Sequence, residues 1–340
     1  MDSSRACFES AYPRGFFLDP RARDAVQEYA RDKGFILPDA SLLSISKAGE
    51  GNMNLTLRLV TTERSFILKQ ARPWVEKYPA IAAPAGRALL EAAFYRSVSS
   101  RPAIRDAMPA LLGQDPESGI LVLEDLGEAQ DFTPLYRGER LAERDLQALV
   151  SFLAELHRPF AERERLFENR EMQALNHEHI FRLPLASENG LDLDRITPGL
   201  GDAARELKDD EAYVARVGEL GALYLEDGPS LVHGDFFPGS WLRTPGGIRV
   251  IDPEFCFLGR AAFDVGVLLA HLHLSRQPNL CDRALDLYRE LAGMDADLLA
   301  TARGFAGAEI MRRLIGVAQL PLEAGLEEKR DLLALSKRLI

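Results

Sequence analysis

Two short apolar runs that each end in carboxylates constrain this chain more than any other feature. The first run, LVHGD, ends at Asp235, and the second, IRVIDPE, ends at Asp252 and Glu254. Between them the segment TPGG carries the Pro and Gly residues that favour a chain reversal. We therefore expect the flanking segments SWLR and IRVID to pair as two strands. Such a hairpin brings the acidic ends together and predicts a functional site there.

Asp252 and Glu254 are candidate ligands for a divalent cation. In an extended segment, side chains two residues apart lie on one face, and paired carboxylate oxygens suit a hard cation such as Mg²⁺. Pro253 stiffens the bend between them. The alternative is a set of turn caps and surface charges. We disfavour it because Asp and Glu are seldom placed beside Val, Ile and Phe without a partner.

Composition limits the classes of protein to which the chain can belong. Its 340 residues, 46% hydrophobic and 27% charged, suffice for two lobes with a substantial core. No apolar run is long enough to span a membrane, and the first residues lack the apolar segment of a signal peptide. Three cysteines without a CxxC pair favour a reducing compartment and argue against a zinc module. The sequence predicts a cytoplasmic protein that does not bind membranes.

Charge and histidine spacing exclude further classes. The chain has a formal net charge of −11, so it does not supply the basic surface that nucleic-acid binding requires. The six histidines form no HExxH motif. We expect structural roles for four of them, namely His177, His179, His271 and His273.

The carboxylate motifs resemble those of a known group of enzymes. Protein kinases have a catalytic Asp, a metal-binding residue five positions later and a second Asp after the next hairpin, and these positions are occupied here by Asp235, Ser240 and Asp252. HGD followed by D-x-E resembles the aminoglycoside-phosphotransferase-like small-molecule kinases. The form HGDxxxGS, with DPEF and Phe263-Asp264-x-Gly266, resembles the methylthioribose kinase family.

This resemblance implies a fold, cofactors and residue roles. The fold is α+β and protein-kinase-like, with a small N-terminal antiparallel-sheet lobe over residues 1–126 that binds nucleotide and a larger, mainly helical C-terminal lobe over residues 127–340. The implied cofactors are ATP and Mg²⁺. Asp235 would accept or orient the acceptor's hydroxyl proton, while Asp252, Glu254 and Ser240 would hold the metal. His233 and Asp264 would support the catalytic loop, Asp264 by accepting hydrogen bonds from its backbone.

The first third of the chain has the periodicity of a helix followed by strands. DPRARDAVQEYARDKG, over residues 19–34, begins with Asp and Pro and ends at Gly34, which is typical of a helix. The segments LLSISKAGEGNMNLTLRLV and SFILKQA then contain three runs of strand character, which are separated by a Gly-rich turn and the polar TTER. Leu55, Leu57 and Leu59 alternate with polar residues, which predicts a half-buried hairpin.

The turn between the first two of these strands is a candidate phosphate-binding loop. It contains Gly49, Gly51, Asn52 and Asn54, and glycines allow backbone amides to approach an anion closely. The alternative is an ordinary hairpin whose glycines only supply positive φ. No GxxxxGK[ST] motif is present, which excludes a P-loop enzyme.

Lys69 is a candidate ligand for the nucleotide phosphates. It ends the apolar run Phe66-Ile67-Leu68, from which a lysine can reach the α- and β-phosphates; a protective edge lysine is the alternative. Glu91, on the helical segment PAGRALLEAAFYRSV, would form an ion pair with Lys69 as in kinase-like folds. The resemblance also implies that the backbone around Glu124 and Leu126, after a buried strand, meets the adenine.

The second half of the chain is predicted to be mainly helical. Residues 162–200 are polar and broken by Pro and Gly, which indicates short helices and loops. Longer helices are expected over residues 202–225, 261–275, 282–291 and 298–335.

The last of these helices carries Arg312 and Arg313 within MRRLIGVA, which resembles the segment with which methylthioribose kinases contact the sugar. The alternative is a surface ion pair with Glu309, three and four residues earlier. Adjacent helical residues point about 100° apart, so at least one arginine should face elsewhere.

Two departures from the methylthioribose kinase pattern affect the choice of substrate. Phe236-Phe237-Pro238 stands where that family usually has Leu-His-Thr, and Trp74 and Tyr78 occupy an altered tryptophan-bearing turn. The sequence predicts ATP-dependent phosphorylation of a small sugar-like molecule, first methylthioribose in methionine salvage. The alternatives are a kinase of choline, an amino alcohol or an aminoglycoside, and a nucleotide-binding pseudokinase. Whether the protein forms a homodimer is left open.

Overall fold

The computed structural model describes residues 3–49, 53–159, 168–293 and 295–340. Contacts between residues divide the chain into two units, Met1–Glu128 and Ala129–Ile340.

The first unit is built on a five-stranded antiparallel sheet of order β1-β2-β3-β7-β6. Its elements are α1 (Ser3–Ala11), α2 (Arg23–Asp32), β1 (Leu42–Lys47), β2 (Leu55–Thr61), β3 (Ser65–Gln70), β4 (Trp74–Val75), β5 (Tyr78–Ala82), α3 (Arg87–Val98), α4 (Pro102–Arg105), β6 (Leu111–Asp115) and β7 (Ile120–Glu124). The predicted entry helix and strands are confirmed.

Alternating burial along β2 fixes which face of this sheet meets the core. Leu55, Leu57 and Leu59 are buried, and the residues between them are partly exposed. Val26 and Tyr29 of α2 belong to the same buried cluster, so the helix covers that face. Burying each such aliphatic side chain contributes roughly 1.5–3 kcal/mol. The predicted half-buried hairpin is confirmed.

The second unit is mainly helical, and its described residues also form five short strands in two small sheets. Its elements are β8 (Gln130–Asp131), α5 (Glu143–Leu156), α6 (Arg170–His177), α7 (Leu193–Ile196), α8 (Leu200–Lys208), α9 (Glu211–Leu225), β9 (Ser230–Val232), β10 (Trp241–Thr244), β11 (Gly247–Val250), β12 (Phe257–Gly259), α10 (Ala262–Leu274), α11 (Asn279–Ala292), α12 (Ala296–Ile315) and α13 (Leu326–Leu339). β10 and β11 pair in antiparallel fashion across Pro245 and Gly246, which confirms the predicted hairpin.

Helices α10 and α12 approach closely at Gly266. A Cβ at this position would lie 2.6 Å from the backbone oxygen of Ala302 and 2.7 Å from Cβ of Phe305. Only glycine permits this contact without moving a helix. The close approach of the two helices therefore explains why the last position of the FDxG motif is glycine.

The prediction of one helix over residues 298–335 is wrong. The helix ends at Ile315 and a new one begins at Leu326. Gly316 is extended, with φ −97° and ψ −177°, and Pro321 cannot donate the backbone hydrogen bond that a helix interior requires. Within the residues described, no helix has both the length and the apolar composition needed to cross a bilayer.

Candidate functional site

The HGD loop, residues 233–235, follows β9, which pairs with β12. Gly234 has φ +86°, and a Cβ there would lie 2.2 Å from the backbone oxygen of Phe255. The turn therefore requires glycine. Asp264, in the first turn of α10, accepts hydrogen bonds from the backbone N–H of His233 (2.6 Å) and of Gly234 (3.0 Å). The carboxylate of Asp264 thus fixes the backbone of the loop.

Asp264 is itself held by a histidine and a tyrosine. His157 Nε2 lies 3.1 Å from Oδ2 of Asp264, and His157 Nδ1 lies 2.8 Å from the hydroxyl of Tyr288. All three side chains are buried. A buried carboxylate requires such partners because burial without them is unfavourable.

The ring of His233 stabilises the same loop. Its Nε2 lies 2.9 Å from the backbone oxygen of Ile251, and its Nδ1 accepts a hydrogen bond from Asp235 N–H at 3.3 Å. Burial lowers the pKa of His233, which favours the neutral ring. In that ring Nε2 carries the proton and donates it to Ile251.

The side chain of Asp235 is bound by both predicted arginines. Nη2 of Arg312 and Nη2 of Arg313 each donate to Oδ1 of Asp235 at 3.0 Å. Nε of Arg312 donates to Oε2 of Glu309 at 2.5 Å, and Nε of Arg313 donates to Oε1 at 2.7 Å. Both arginines therefore share two carboxylates.

The expectation that at least one arginine faces away from Glu309 is wrong, and so is the surface-pair alternative. Glu309 is 1% exposed. The angle of about 100° between adjacent helical residues describes their Cβ directions, whereas a guanidinium group lies at the end of a long side chain. Arg312 and Arg313 can therefore converge on one partner despite their different starting directions.

Glu309 and Arg312 are charged although they are buried. Burial alone would raise the pKa of Glu309, but Arg312 and Arg313 outweigh it and hold that pKa well below its usual value. Burial disfavours the charge on Arg312 as well, and Glu309 and Asp235 outweigh it, so the pKa of Arg312 is raised. Two carboxylates and two guanidinium groups balance one another, which makes their burial tolerable.

A second histidine and a second tyrosine extend the cluster. His271 Nε2 lies 3.0 Å from Oε1 of Glu309, and His271 Nδ1 lies 2.7 Å from the hydroxyl of Tyr136. Sequence reasoning missed Tyr136 and His157, and interpreted His271 only as structural. One available signal was the spacing of Asp264 and His271, seven residues apart, which places them on one face of α10.

The predicted metal ligands are arranged differently from the expected extended triplet. Asp252 has a left-handed backbone, with φ 61° and ψ 53°, and a 3₁₀ turn follows over Pro253–Phe255. The extended geometry is therefore wrong. Asn169 Nδ2 donates to the backbone oxygens of Glu254 (2.9 Å) and Cys256 (3.0 Å), which holds this turn.

A left-handed non-glycine residue costs of order 1 kcal/mol and is often found at functional sites.

Ser240 Oγ donates to the backbone oxygen of Asp235 at 3.2 Å. In the part of the chain that the structure describes, no three His, Cys, Asp or Glu side chains form a metal-binding group. Mg²⁺ needs only one or two protein carboxylates when phosphates supply other ligands, so Asp252 and Glu254 fit it chemically.

The two phenylalanines that follow HGD have different surroundings. Phe236 is fully buried, with its ring stacked on Phe152 at 5.9 Å between centroids, and belongs to the core. Phe237 is half-buried, and the guanidinium carbon of Arg313 lies 4.6 Å from the centre of its ring. The departure at residue 237 thus gives Arg313 a cation–π partner.

In the first unit, the structure brings Lys69 and Glu91 together. Lys69 Nζ lies 2.9 Å from Oε1 of Glu91, and both side chains are buried between β3 and α3. This geometry opposes the interpretation of Lys69 as a protective edge lysine.

The remaining nucleotide candidates of this unit have other surroundings. Gly49 has φ +80°, while Gly51 and Asn52 lie outside the described residues. Oδ1 of Asn54 accepts from Nε of Arg87 at 2.9 Å. Glu124 is exposed and accepts from the backbone N–H of Ala110 through Oε2 at 3.0 Å, and Leu126 is half-buried.

Comparison with known proteins decides the family. The sequence model of the phosphotransferase enzyme family matches residues 44–303, which is most of the chain. The chain belongs to this family. Relatives of this phosphotransferase match it over most of both chains. It is 28% identical to the methylthioribose kinase of Exiguobacterium sibiricum, covering 85% of this chain and 83% of that protein. The methylthioribose kinase of a Geobacillus species is 25% identical, with 87% and 84% covered.

A solved structure supports the fold of this phosphotransferase. The choline kinase of Streptococcus pneumoniae superposes with a TM-score of 0.53 at 12% identity, covering 94% of this chain and 98% of that one. At this identity the likeness bears on the fold alone. Together with the family match it confirms the predicted α+β kinase-like fold, with an antiparallel-sheet lobe and a mainly helical lobe.

Proposed function

We propose that this phosphotransferase uses ATP to phosphorylate a hydroxyl group of a small sugar-like molecule, with methylthioribose as the first candidate. The observation that carries the proposal is the binding of Asp235 by Arg312 and Arg313 within a buried, charge-balanced cluster. Similarity to proteins named methylthioribose kinase supports the choice of acceptor.

The two oxygens of Asp235 have different roles in this proposal. Oδ1 accepts from both arginines, whereas Oδ2 has no hydrogen-bond donor among the residues that the structure describes. Oδ2 is therefore assigned to the acceptor: it accepts the hydrogen bond of the reacting hydroxyl and takes its proton. Nη1 of Arg313 donates to the backbone oxygen of Ala318 at 3.5 Å. The arginine N–H groups that are not used by Glu309, Asp235 or Ala318 can donate to other oxygens of the acceptor.

The nucleotide and metal are assigned to the remaining residues. Asp252 and Glu254, with Ser240, would hold Mg²⁺, which neutralises charge on the phosphates when it is bound. Lys69, fixed by Glu91, would bind the α- and β-phosphates. The turn that includes Gly49, Gly51, Asn52 and Asn54 would cover the phosphates, and the backbone from Glu124 to Leu126 would meet the adenine.

Choline, amino alcohols and aminoglycosides are less suitable acceptors. These molecules carry positive charge, and their cationic groups cannot accept hydrogen bonds from the N–H groups of Arg312 and Arg313. A neutral polyol offers several oxygens to the donors.

The test is a panel of acceptors assayed with ATP and Mg²⁺. Methylthioribose, ribose, choline, ethanolamine and kanamycin are compared by kcat/KM, with Asp235→Asn as the inactive control. We expect methylthioribose to be preferred and turnover to require a divalent cation. Preference for choline, ethanolamine or kanamycin would overturn the acceptor assignment, and absence of turnover with every compound would support the pseudokinase alternative.

A further inference from the structure

Five buried side chains form one continuous chain of hydrogen bonds that ends on Asp235, and they belong to Tyr136, His271, Glu309, Arg312 and Arg313. It runs from the hydroxyl of Tyr136 to His271, from His271 to Glu309, and from Glu309 through Arg312 and Arg313 to Asp235. Hydrogen-bonded neighbours in it are separated by up to 135 residues in sequence, so the chain is a product of the fold.

The direction of each hydrogen bond can be assigned. Glu309 is a carboxylate and only accepts. Burial lowers the pKa of His271 to about 4, so its ring is neutral near pH 7 and has one donor and one acceptor nitrogen. His271 Nε2 must therefore donate to Glu309, which leaves Nδ1 to accept from the hydroxyl of Tyr136. Every member of the chain then has a defined orientation.

Glu309 sets where the two guanidinium groups point. Each of its carboxylate oxygens accepts a hydrogen bond from Nε of one arginine, and His271 donates to the same carboxylate. Because the guanidinium group is planar, fixing Nε restricts the direction of Nη2, which is the atom that reaches Asp235 in both arginines. The carboxylate also lies between two positive charges that would otherwise repel each other.

We propose that Glu309, oriented by His271 and Tyr136, is the positioning residue that holds Arg312 and Arg313 on Asp235 and towards the acceptor. This proposal rests on the proposed function, since it assigns the acceptor to Asp235 and its arginines. Glu309 contacts no reacting atom, and it acts on the reaction only through the two arginines.

The principal variant is Glu309→Gln, which keeps the size of the side chain. The amide group places N–H donors against at least one arginine, so the arginines lose their fixed direction. We expect kcat/KM for methylthioribose to fall about 10- to 100-fold. KM for ATP should change by less than about twofold, because the described partners of Glu309 are His271, Arg312 and Arg313, and none of these is assigned to the nucleotide. Equal losses for ATP and acceptor would overturn the proposal.

A milder pair of variants separates positioning from stability. Tyr136→Phe removes the hydroxyl that holds His271, and Tyr213→Phe removes another buried hydroxyl, which lies 2.7 Å from Oγ of Ser336. Both should lower thermal stability to a similar extent. Only Tyr136→Phe should lower kcat/KM for the acceptor, by about 2- to 10-fold. A similar loss of kcat/KM in Tyr213→Phe would indicate a general structural effect and overturn the proposal.

A measurement without substrate distinguishes this proposal from the proposed function. The side-chain Nε–H signals of Arg312 and Arg313, assigned by NMR with single Lys substitutions, should exchange slowly with solvent because they donate to a buried carboxylate. Glu309→Gln should abolish that protection. Persistence of the protection would overturn the positioning role whatever the acceptor is, whereas absence of turnover in the wild-type protein would overturn the proposed function alone.

Discussion

Replacing Asp264 with Asn tests how the HGD loop is held. The carboxylate accepts three hydrogen bonds, from His233 N–H, Gly234 N–H and His157 Nε2. An amide has one oxygen, so it can retain the bond from Gly234 or the bonds from His233 and His157. In either orientation its NH₂ group faces at least one buried donor.

The expected loss of stability follows from this count. A buried group left without its partner costs about 1–3 kcal/mol, and a hydrogen bond to a charged group contributes about 1.5–3 kcal/mol. Because these two contributions overlap, we expect Asp264→Asn to lower the free energy of unfolding of the helical unit by about 2–4 kcal/mol.

Urea unfolding provides the assay. Trp241 is fully buried beside Phe236 in the helical unit, so a Trp74→Phe background leaves its fluorescence as the reporter of that unit. The control is Asp286→Asn, which removes an exposed pair with Arg289 and should change stability by less than about 0.5 kcal/mol. If Asp264→Asn loses no more stability than Asp286→Asn, the reasoning about the loop is refuted.

Three further perturbations test other parts of the description. Asp235→Asn should lower kcat at least about 100-fold, while the affinity for ATP, measured by calorimetry, should be nearly unchanged. A near-normal kcat would contradict the role of Asp235. Gly266→Ala should lower the free energy of unfolding, measured by thermal denaturation, by about 1–3 kcal/mol, because its Cβ would lie 2.6 Å from the backbone oxygen of Ala302. Gly218 faces open space on α9, so Gly218→Ala should raise the same free energy by up to about 1 kcal/mol. Lys69→Met should raise KM for ATP about tenfold or more, and an unchanged KM would exclude contact with the phosphates.

Local periodicity was sufficient to predict most elements of the fold. The alternation of Leu55, Leu57 and Leu59 identified β2, and the TPGG turn identified the hairpin of β10 and β11. The break after Ile315 was missed because the apolar pattern continues across it. There Gly316 and Pro321 override the pattern, since backbone conformation and a missing donor outweigh side-chain periodicity.

The candidate site was predictable only where its residues are close in sequence. HGD, DPE and the paired arginines stand out as motifs, but nothing local to Tyr136, His157 or Tyr288 indicates a buried hydroxyl or imidazole at a carboxylate. Their contacts join residues 107 to 135 positions apart. The backbone of Asp252 was also unpredictable, because the turn after β11 sets its left-handed conformation.

Asp264 and His271 are seven residues apart on α10, so their alignment depends more on the length of the helix segment between them than on its composition. Seven residues span nearly two full turns, so one face of α10 presents Asp264 to the loop backbone and His271 to Glu309. A single-residue insertion between them would leave an uninterrupted helix yet rotate one partner about 100° relative to the other. Size-preserving substitutions in this interval should therefore be tolerated far better than insertions or deletions, which would separate the support of the loop from the support of the arginines.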